Sequence, residues 1–246
     1  MTDSDTPVRV FTYTPGRGGK LADKLFDGVR EGAVLMTDGY APYDGIAQRH
    51  RLIHLACWTH ARRGFVKAED NVPKAARTPD LLATRFLKLI GKLFAAEARS
   101  QTWKAQQRQR LRRRYSARVL ELIHRLMLEH LPNVVPGSLL GKALNYMQGQ
   151  WPKLVRYIEN GDWAISNNPC ENAIRPFCLG RRGWMFADTV AGANASANLY
   201  SLVETCRANR IDPYHYLHWL FQKLPLATTV EDYDALLPWN MPADLR

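Results

Sequence analysis

Apolar side chains recur along this chain with two different periods. Val8 to Tyr13 alternates apolar and polar residues and then meets Thr14-Pro15-Gly16, the pattern of a strand entering a turn. Lys20 to Val29 sets Leu21, Leu25, Phe26 and Val29 on one side and predicts a short helix. Ala33 to Met36 is a continuous apolar run, as expected of a strand covered on both faces, and it ends at Thr37-Asp38-Gly39. Strand, helix and strand in that order imply a crossover with parallel pairing, and such sheets collect their chemistry at the carboxyl ends of the strands. Asp38 stands at such an end. Tyr40 to Gln48 predicts another short helix, and Arg51 to Ala56 another strand.

From Asp80 onward the period becomes helical. Leu82, Phe86, Leu89, Ile90, Leu93 and Phe94 form one apolar stripe, and Tyr115, Val119, Leu122 and Leu126 a second, predicting an antiparallel helical pair. Ser138 opens a further helix that Pro152 should kink or break. Ala191 to Asn209 is a helix rich in small residues, with Leu199, Leu202, Val203 and Cys206 facing inward and Glu204, amid apolar neighbours, either a buried polar residue or, by default, on the outside. Asp212-Pro213 starts a helix carrying Tyr216, Leu217, Leu220 and Phe221, and Thr229 with Asp232 caps a last short one. His215 and His218 read as packing or surface residues.

Charge narrows the partner. The 246 residues hold 34 Lys and Arg against 23 Asp and Glu, a formal net charge of +11, which favours a polyanion, nucleic acid above all. Between Glu97 and Glu121 there is no acid, while Lys104, Arg108, Arg110, Arg112, Arg113, Arg114 and Arg118 crowd together. That run is either a solvated helix face or a surface that tracks phosphates. No segment reaches the roughly eighteen apolar residues of a membrane span, and no export signal opens the chain. A soluble intracellular protein with free thiols at Cys57, Cys170, Cys178 and Cys206 is expected.

Two stretches carry candidate chemistry: Leu35-Met36-Thr37-Asp38-Gly39-Tyr40 and Asn167-Asn168-Pro169-Cys170-Glu171-Asn172-Ala173-Ile174-Arg175-Pro176. In the second, Asn168, Pro169 and Glu171 also fit an N-cap, a first-turn proline and a capping-box glutamate, which would make Glu171 structural. Arg175, Arg181, Arg182, Trp184 and Phe186 follow, and cations around an isolated acid suit a site that holds metal ions and phosphates together. Cys57-x-x-His60 with Cys170 and Cys178 could supply zinc ligands, but only the first pair has ligand-like spacing. Gly16-Arg17-Gly18-Gly19-Lys20 departs from a phosphate loop at Thr14 and Leu21 and reads as a turn. Thiol catalysis lacks an activating partner beyond the Cys57–His60 pair.

Thr37-Asp38-Gly39-Tyr40 with Tyr43, Cys57 to Phe65 (Cys-Trp-Thr-His-Ala-Arg-Arg-Gly-Phe), Asn167 to Pro176, Leu179-Gly180-Arg181-Arg182 and Tyr200 to Thr205 together resemble the insertion-sequence-66 family of transposases. The motifs run in family order from about residue 8 to the end. The resemblance implies an α/β, ribonuclease-H-like core formed by residues 8–69 and 161–190, a helical insertion at 70–160 and a helical C-terminal region at 191–246. It further implies an Asp-Asp-Glu metal triad with Asp38 as second acid and Glu171 as third, Mg2+ or Mn2+ in a two-metal site, and phosphodiester cleavage and strand transfer. Arg62, Arg63, Arg175, Arg181 and Arg182 become candidate DNA contacts, with Cys57 and His60 near the site. Implied partners are DNA and other transposase subunits or a second copy, in the bacterial cytoplasm near the nucleoid. The family's first acid has no counterpart: Asp3 and Asp5 lie in a polar tail, so the sheet is expected to be N-terminally truncated and the chain either part of an enzyme or a DNA-binding remnant. Asn172 stands where the family commonly has arginine.

Overall fold

A computed structural model describes residues 6–16, 18–184 and 187–245. Asp3, Asp5, Arg17 and Phe186 lie outside the described residues, as do the side chains of Leu21, Arg181, Arg182 and Trp184. The chain divides into two compact units, Gly18–Asn168 and Met1–Arg17 with Pro169–Arg246. Among the described residues it is mostly helical, with one small two-stranded parallel sheet, which is consistent with an α/β fold.

The larger unit begins with α1 (Gly19–Asp23) and a 3-10 turn, Lys24–Phe26. β1 (Val34–Thr37), α2 (Pro42–Arg49) and β2 (Ile53–Ala56) then make a strand–helix–strand crossover. The strands pair in parallel, Val34 opposite Ile53 through Thr37 opposite Ala56. The crossover is therefore one strand later in the chain than the alternation at Val8–Tyr13 implied. α3 (Trp58–Asp70), α4 (Leu82–Arg99), α5 (Ala105–Leu111), α6 (Ala117–His130) and α7 (Leu139–Leu154) follow. α3, α4, α6 and α7 enclose one core with β2, in which Leu55, Trp58, Phe65, Phe86, Ile90, Ile123, Leu144 and Met147 are almost fully buried. Phe65 and Phe86 stack with centroids 4.5 Å apart. α3 and α7 approach so closely that a Cβ on Gly64 would stand 3.0 Å from the Cβ of Ala143. Small residues at that crossing set its depth.

α5 and α6 are one continuous helix interrupted by a π segment, Arg112–Ser116. The face it buries is Ser116, Val119, Leu120, Ile123, Leu126 and Met127. Tyr115 and Leu122, expected inside, are 38% and 46% exposed. Leucine and β-branched residues occupy several sides of this helix, and the π segment adds a residue to the repeat, so spacing alone misassigned the inward face. Ser138 caps α7 as expected, its Oγ accepting the Gly141 amide at 2.9 Å. Pro152 sits in the last turn of α7, and the chain tightens into a 3-10 helix from Val155.

The other unit comprises α8 (Asn168–Trp184), α9 (Val190–Ala208), α10 (Pro213–Lys223) and α11 (Val230–Ala235). Cys206, Ile211, Tyr216, Leu220 and Met241 form its core, while Leu199 and Phe221 turn outward at 41% and 54% exposure. Glu204, by default expected on the surface, is buried and meets Arg207 at 2.5 Å. Residues 7–11 are extended but pair with a helix instead of a strand. Thr205 Oγ1 accepts the Arg9 amide at 3.0 Å and donates to the Arg9 carbonyl at 3.1 Å. Ser201 Oγ accepts the Phe11 amide at 2.8 Å while its hydroxyl donates to the Ala197 carbonyl at 2.7 Å, and Asn209 Nδ2 donates to the Pro7 carbonyl at 2.9 Å. Two residues of extended chain advance about 6.6 Å and four of helix about 6 Å, so the two rows stay in step.

Candidate active site

Asp38 follows β1 directly, and its exposed carboxylate accepts the Tyr40 amide through Oδ1 at 3.1 Å. Gly39, at φ +89°, makes the turn; any side chain there would be strained and would meet Tyr146 and Gln150 at 3.1 Å. Tyr146, from α7, donates its hydroxyl to the Asp38 carbonyl at 2.6 Å. Burial first, then the Cys57 thiol and the Asp38 carboxylate, push the Tyr146 phenol up to about 12, so it stays a donor at neutral pH.

Behind this turn lies a buried relay that spacing could not have shown. Thr37 Oγ1 and His54 Nε2 are 2.8 Å apart, and His54 Nδ1 stands 3.2 Å from Asp44 Oδ1, which Lys153 Nζ also meets at 2.6 Å. Burial, followed by the nearby Lys153, lowers the His54 pKa against the opposing pull of Asp44. A neutral imidazole facing a carboxylate carries its proton on Nδ1, so Nε2 accepts the Thr37 hydroxyl proton. Thr37 is 5% and His54 8% exposed, so the relay is buried where it holds the end of β1, while Asp44 at its other end faces solvent.

Cys57 is the N-cap of α3 and wholly buried, and its Sγ accepts the Asn167 amide at 3.4 Å. The Trp58 amide donates to the Ile165 carbonyl at 3.1 Å and its indole to the Leu154 carbonyl at 2.8 Å. Cys57 and Trp58 thereby tie down the segment that leads into α8. His60 is half-buried on α3, with Arg62 and Arg63 exposed beside it.

In the other unit, α8 begins at Asn168, one residue earlier than the capping-box reading assumed. Glu171 lies half-buried in its first turn, and Arg175 is exposed one turn later. The structure thus gathers Asp38, Cys57, His60, Arg62 and Arg63 in the larger unit and Glu171 and Arg175 in the other. Cys170 and Cys178 are exposed while Cys57 is buried, which removes the basis for a zinc cluster. Carboxylate oxygens are the donor type a hard cation takes, but among the described residues no three His, Cys, Asp or Glu side chains stand close enough to hold a metal ion. No helix among them is long and apolar enough to cross a membrane.

The comparisons with known proteins place the chain among the transposases. A family model described as "Transposase IS66 family" matches residues 1–195, and the "IS66 C-terminal element" matches residues 201–239. The chain belongs to the IS66 transposase family. It is 30% identical over 246 residues to the uncharacterized protein y4jD of Sinorhizobium fredii (strain NBRC 101917 / NGR234), covering 97% of this chain and 46% of that protein. It is 26% identical to y4qI of the same organism, over 97% of this chain and 44% of the relative. The chain spans about half the length of the curated relatives it matches. No solved structure matches it.

Proposed function

We propose that the chain serves DNA transposition, with phosphodiester cleavage and strand transfer as the reaction. The observation that carries this reading is the placement of Asp38 at the carboxyl end of a parallel strand, in a chain whose residues 1–195 match the transposase family. In this reading residues 8–69 and 161–190 belong to a ribonuclease-H-like core, 70–160 are a helical insertion and 191–246 a helical C-terminal region. Asp38 and Glu171 would each give carboxylate oxygens to Mg2+ or Mn2+, and a bound cation would neutralise charge on the scissile phosphate. The Tyr146 hydroxyl and the Thr37–His54–Asp44 relay orient the Asp38 turn. Arg62, Arg63, Arg175, Arg181 and Arg182 are candidate phosphate contacts, and Cys57 and His60 support the site from α3. The partners are transposon-end and target DNA, with other transposase subunits or a second copy, near the nucleoid of a bacterial cytoplasm.

A second reading, a transposase chain that binds DNA or a subunit without cutting, is favoured by the lack of any three-residue metal cluster among the described residues. One experiment separates them. The purified chain is incubated in Mg2+ or Mn2+ with a supercoiled plasmid carrying the DNA that flanks its gene, and nicking and gel retardation are scored together. Nicking that falls to background in Asp38→Asn and Glu171→Gln supports cleavage. Retardation without nicking supports the second reading, and neither outcome with intact, folded protein overturns both.

A further inference from the structure

The cation-rich helices sort their charges in a way that sequence spacing did not show. Of the seven basic residues from Lys104 to Arg118, Arg108 and Arg112 are spent on the interior. Arg112 is 2% exposed and bonds Glu97, Tyr157 and Asn160, and Arg108 Nε donates to the Gly161 carbonyl. Lys104, Arg110, Arg113, Arg114 and Arg118 remain exposed.

A groove of about 450 Å³ runs between α4 and α6, and Arg85, Lys88, Lys92 and Arg125 line it. All four are exposed, and none meets a carboxylate within 4.0 Å among the described residues. Asp80 and Glu129 line the same groove, and Glu129 Oε1 lies 3.7 Å from Nε2 of its neighbour His130. Arg118 stands one turn before Leu122 on the groove side of α6 and prolongs the row toward the exposed arginines of the π segment. A solvated helix face ordinarily interleaves opposite charges at three- and four-residue spacing. Here Arg85, Lys88 and Lys92 stand at that spacing on α4 with no acid between them, and the four cations outnumber the two acids, Asp80 and Glu129, that share the groove.

We propose that the α4–α6 groove is a second DNA-binding surface, one that takes the sugar–phosphate backbone of a duplex without reading its sequence. Charge complementarity selects a polyanion. From Arg85 to Lys92 the helix advances about 10 Å, the axial rise of roughly three phosphates on one strand. The groove is shallow and opposes cations to one another across two helices, which suits a continuous phosphate row better than a single anion. This assignment rests on the DNA-transposition reading for its partner, but it concerns residues far in sequence from Asp38 and Glu171 and stands or falls by binding alone.

The test uses the full chain carrying Asp38→Asn, without divalent metal, on a 30-base-pair duplex, with affinity measured from 50 to 200 mM salt. A groove variant changes Arg85, Lys88, Lys92 and Arg125 to Gln together; a charge-matched control changes the exposed Lys24, Lys67, Lys142 and Lys223 to Gln. The groove variant is expected to flatten the slope of log affinity against log salt by roughly three to four, so that its affinity falls roughly a hundredfold less over that range. The control should leave the slope near that of the parent. Equal slopes for the two variants would overturn the groove and leave only bulk charge. Equal or tighter binding to an RNA duplex of the same length would overturn the DNA assignment. A flattened slope in a chain that never nicks its plasmid would uphold the groove while the cleavage reading fails.

Discussion

Arg112 shows how residue type and residue role come apart. A guanidinium at 2% exposure would be very costly alone, but Glu97, the carbonyls of Tyr157 and Asn160, and the Tyr157 ring, whose centroid is 5.1 Å away, satisfy its donors and its charge. Nothing local distinguishes it from Arg113 or Arg114, because its partners lie fifteen and forty-five residues away. His54 is the residue-scale counterpart with a pH signature. Its pKa in the folded chain is below the ordinary value of about 6.5, so the unfolded chain takes up the proton more readily. Stability is therefore complete above about 6.5 and is lost as pH falls through that value toward the folded-state pKa. The melting temperature should fall between pH 7.5 and 5.5 in the parent, and less steeply in His54→Gln. Parallel slopes for the two proteins would remove the relay from the account.

At the scale of elements, α9 acts as the partner of an extended segment. Ser201 and Thr205, one turn apart, each accept an amide of the incoming chain; Thr205 returns its hydroxyl to the same residue, while Ser201 donates to Ala197 of its own helix. Each such bond contributes about 1 kcal/mol net. Ser201→Ala with Thr205→Val should free residues 7–11, which hydrogen exchange at the Arg9 and Phe11 amides and limited proteolysis would register; unchanged protection would show that other contacts hold the segment. The alternation at Val8–Tyr13 predicted a strand that does not form: hydroxyls on a helix meet the segment's amides as a strand would, and period alone does not tell the two apart. Other elements were legible because their signals are local. Asp212 Oδ1 accepts the amides of Tyr214 and His215, which lowers its pKa, and Asp232 is pulled down to about 2 by the amides of Thr228 and Thr229. β1 and β2 were likewise visible as short apolar runs. The Thr37–His54–Asp44 relay was not, for its members come from three elements.

For the molecule as a whole, the two cores are unequal. The larger unit buries an aromatic and aliphatic centre drawn from five elements, whereas the centre of the other is the small group around Cys206 and Tyr216. Stability follows buried apolar area, at about 25 cal/mol per Å². Amides in α9 and α10 should therefore exchange before those in α4, α6 and α7, and the smaller unit should melt at the lower temperature. A single sharp transition with uniform exchange would contradict this. Burial of Cys206 raises its thiol to about 12, so alkylation there should report that early opening.

The π segment has a consequence for length as opposed to composition. Arg113, Arg114 and Tyr115 are all exposed, and their exchange for other residues should be tolerated. Their number follows a different rule from that of an ordinary helix, because a π turn holds one residue more than the α turn it replaces, and the five residues here turn the chain about as far as four would in an α-helix. Removing one should therefore restore a regular helix and leave Arg112 on Glu97 and Ile123 and Met127 in the core, whereas removing two would turn everything after it by about 100°. Solvent-facing as it is, this stretch can be rewritten freely and shortened by a single residue, and a one-residue gap in an alignment belongs there.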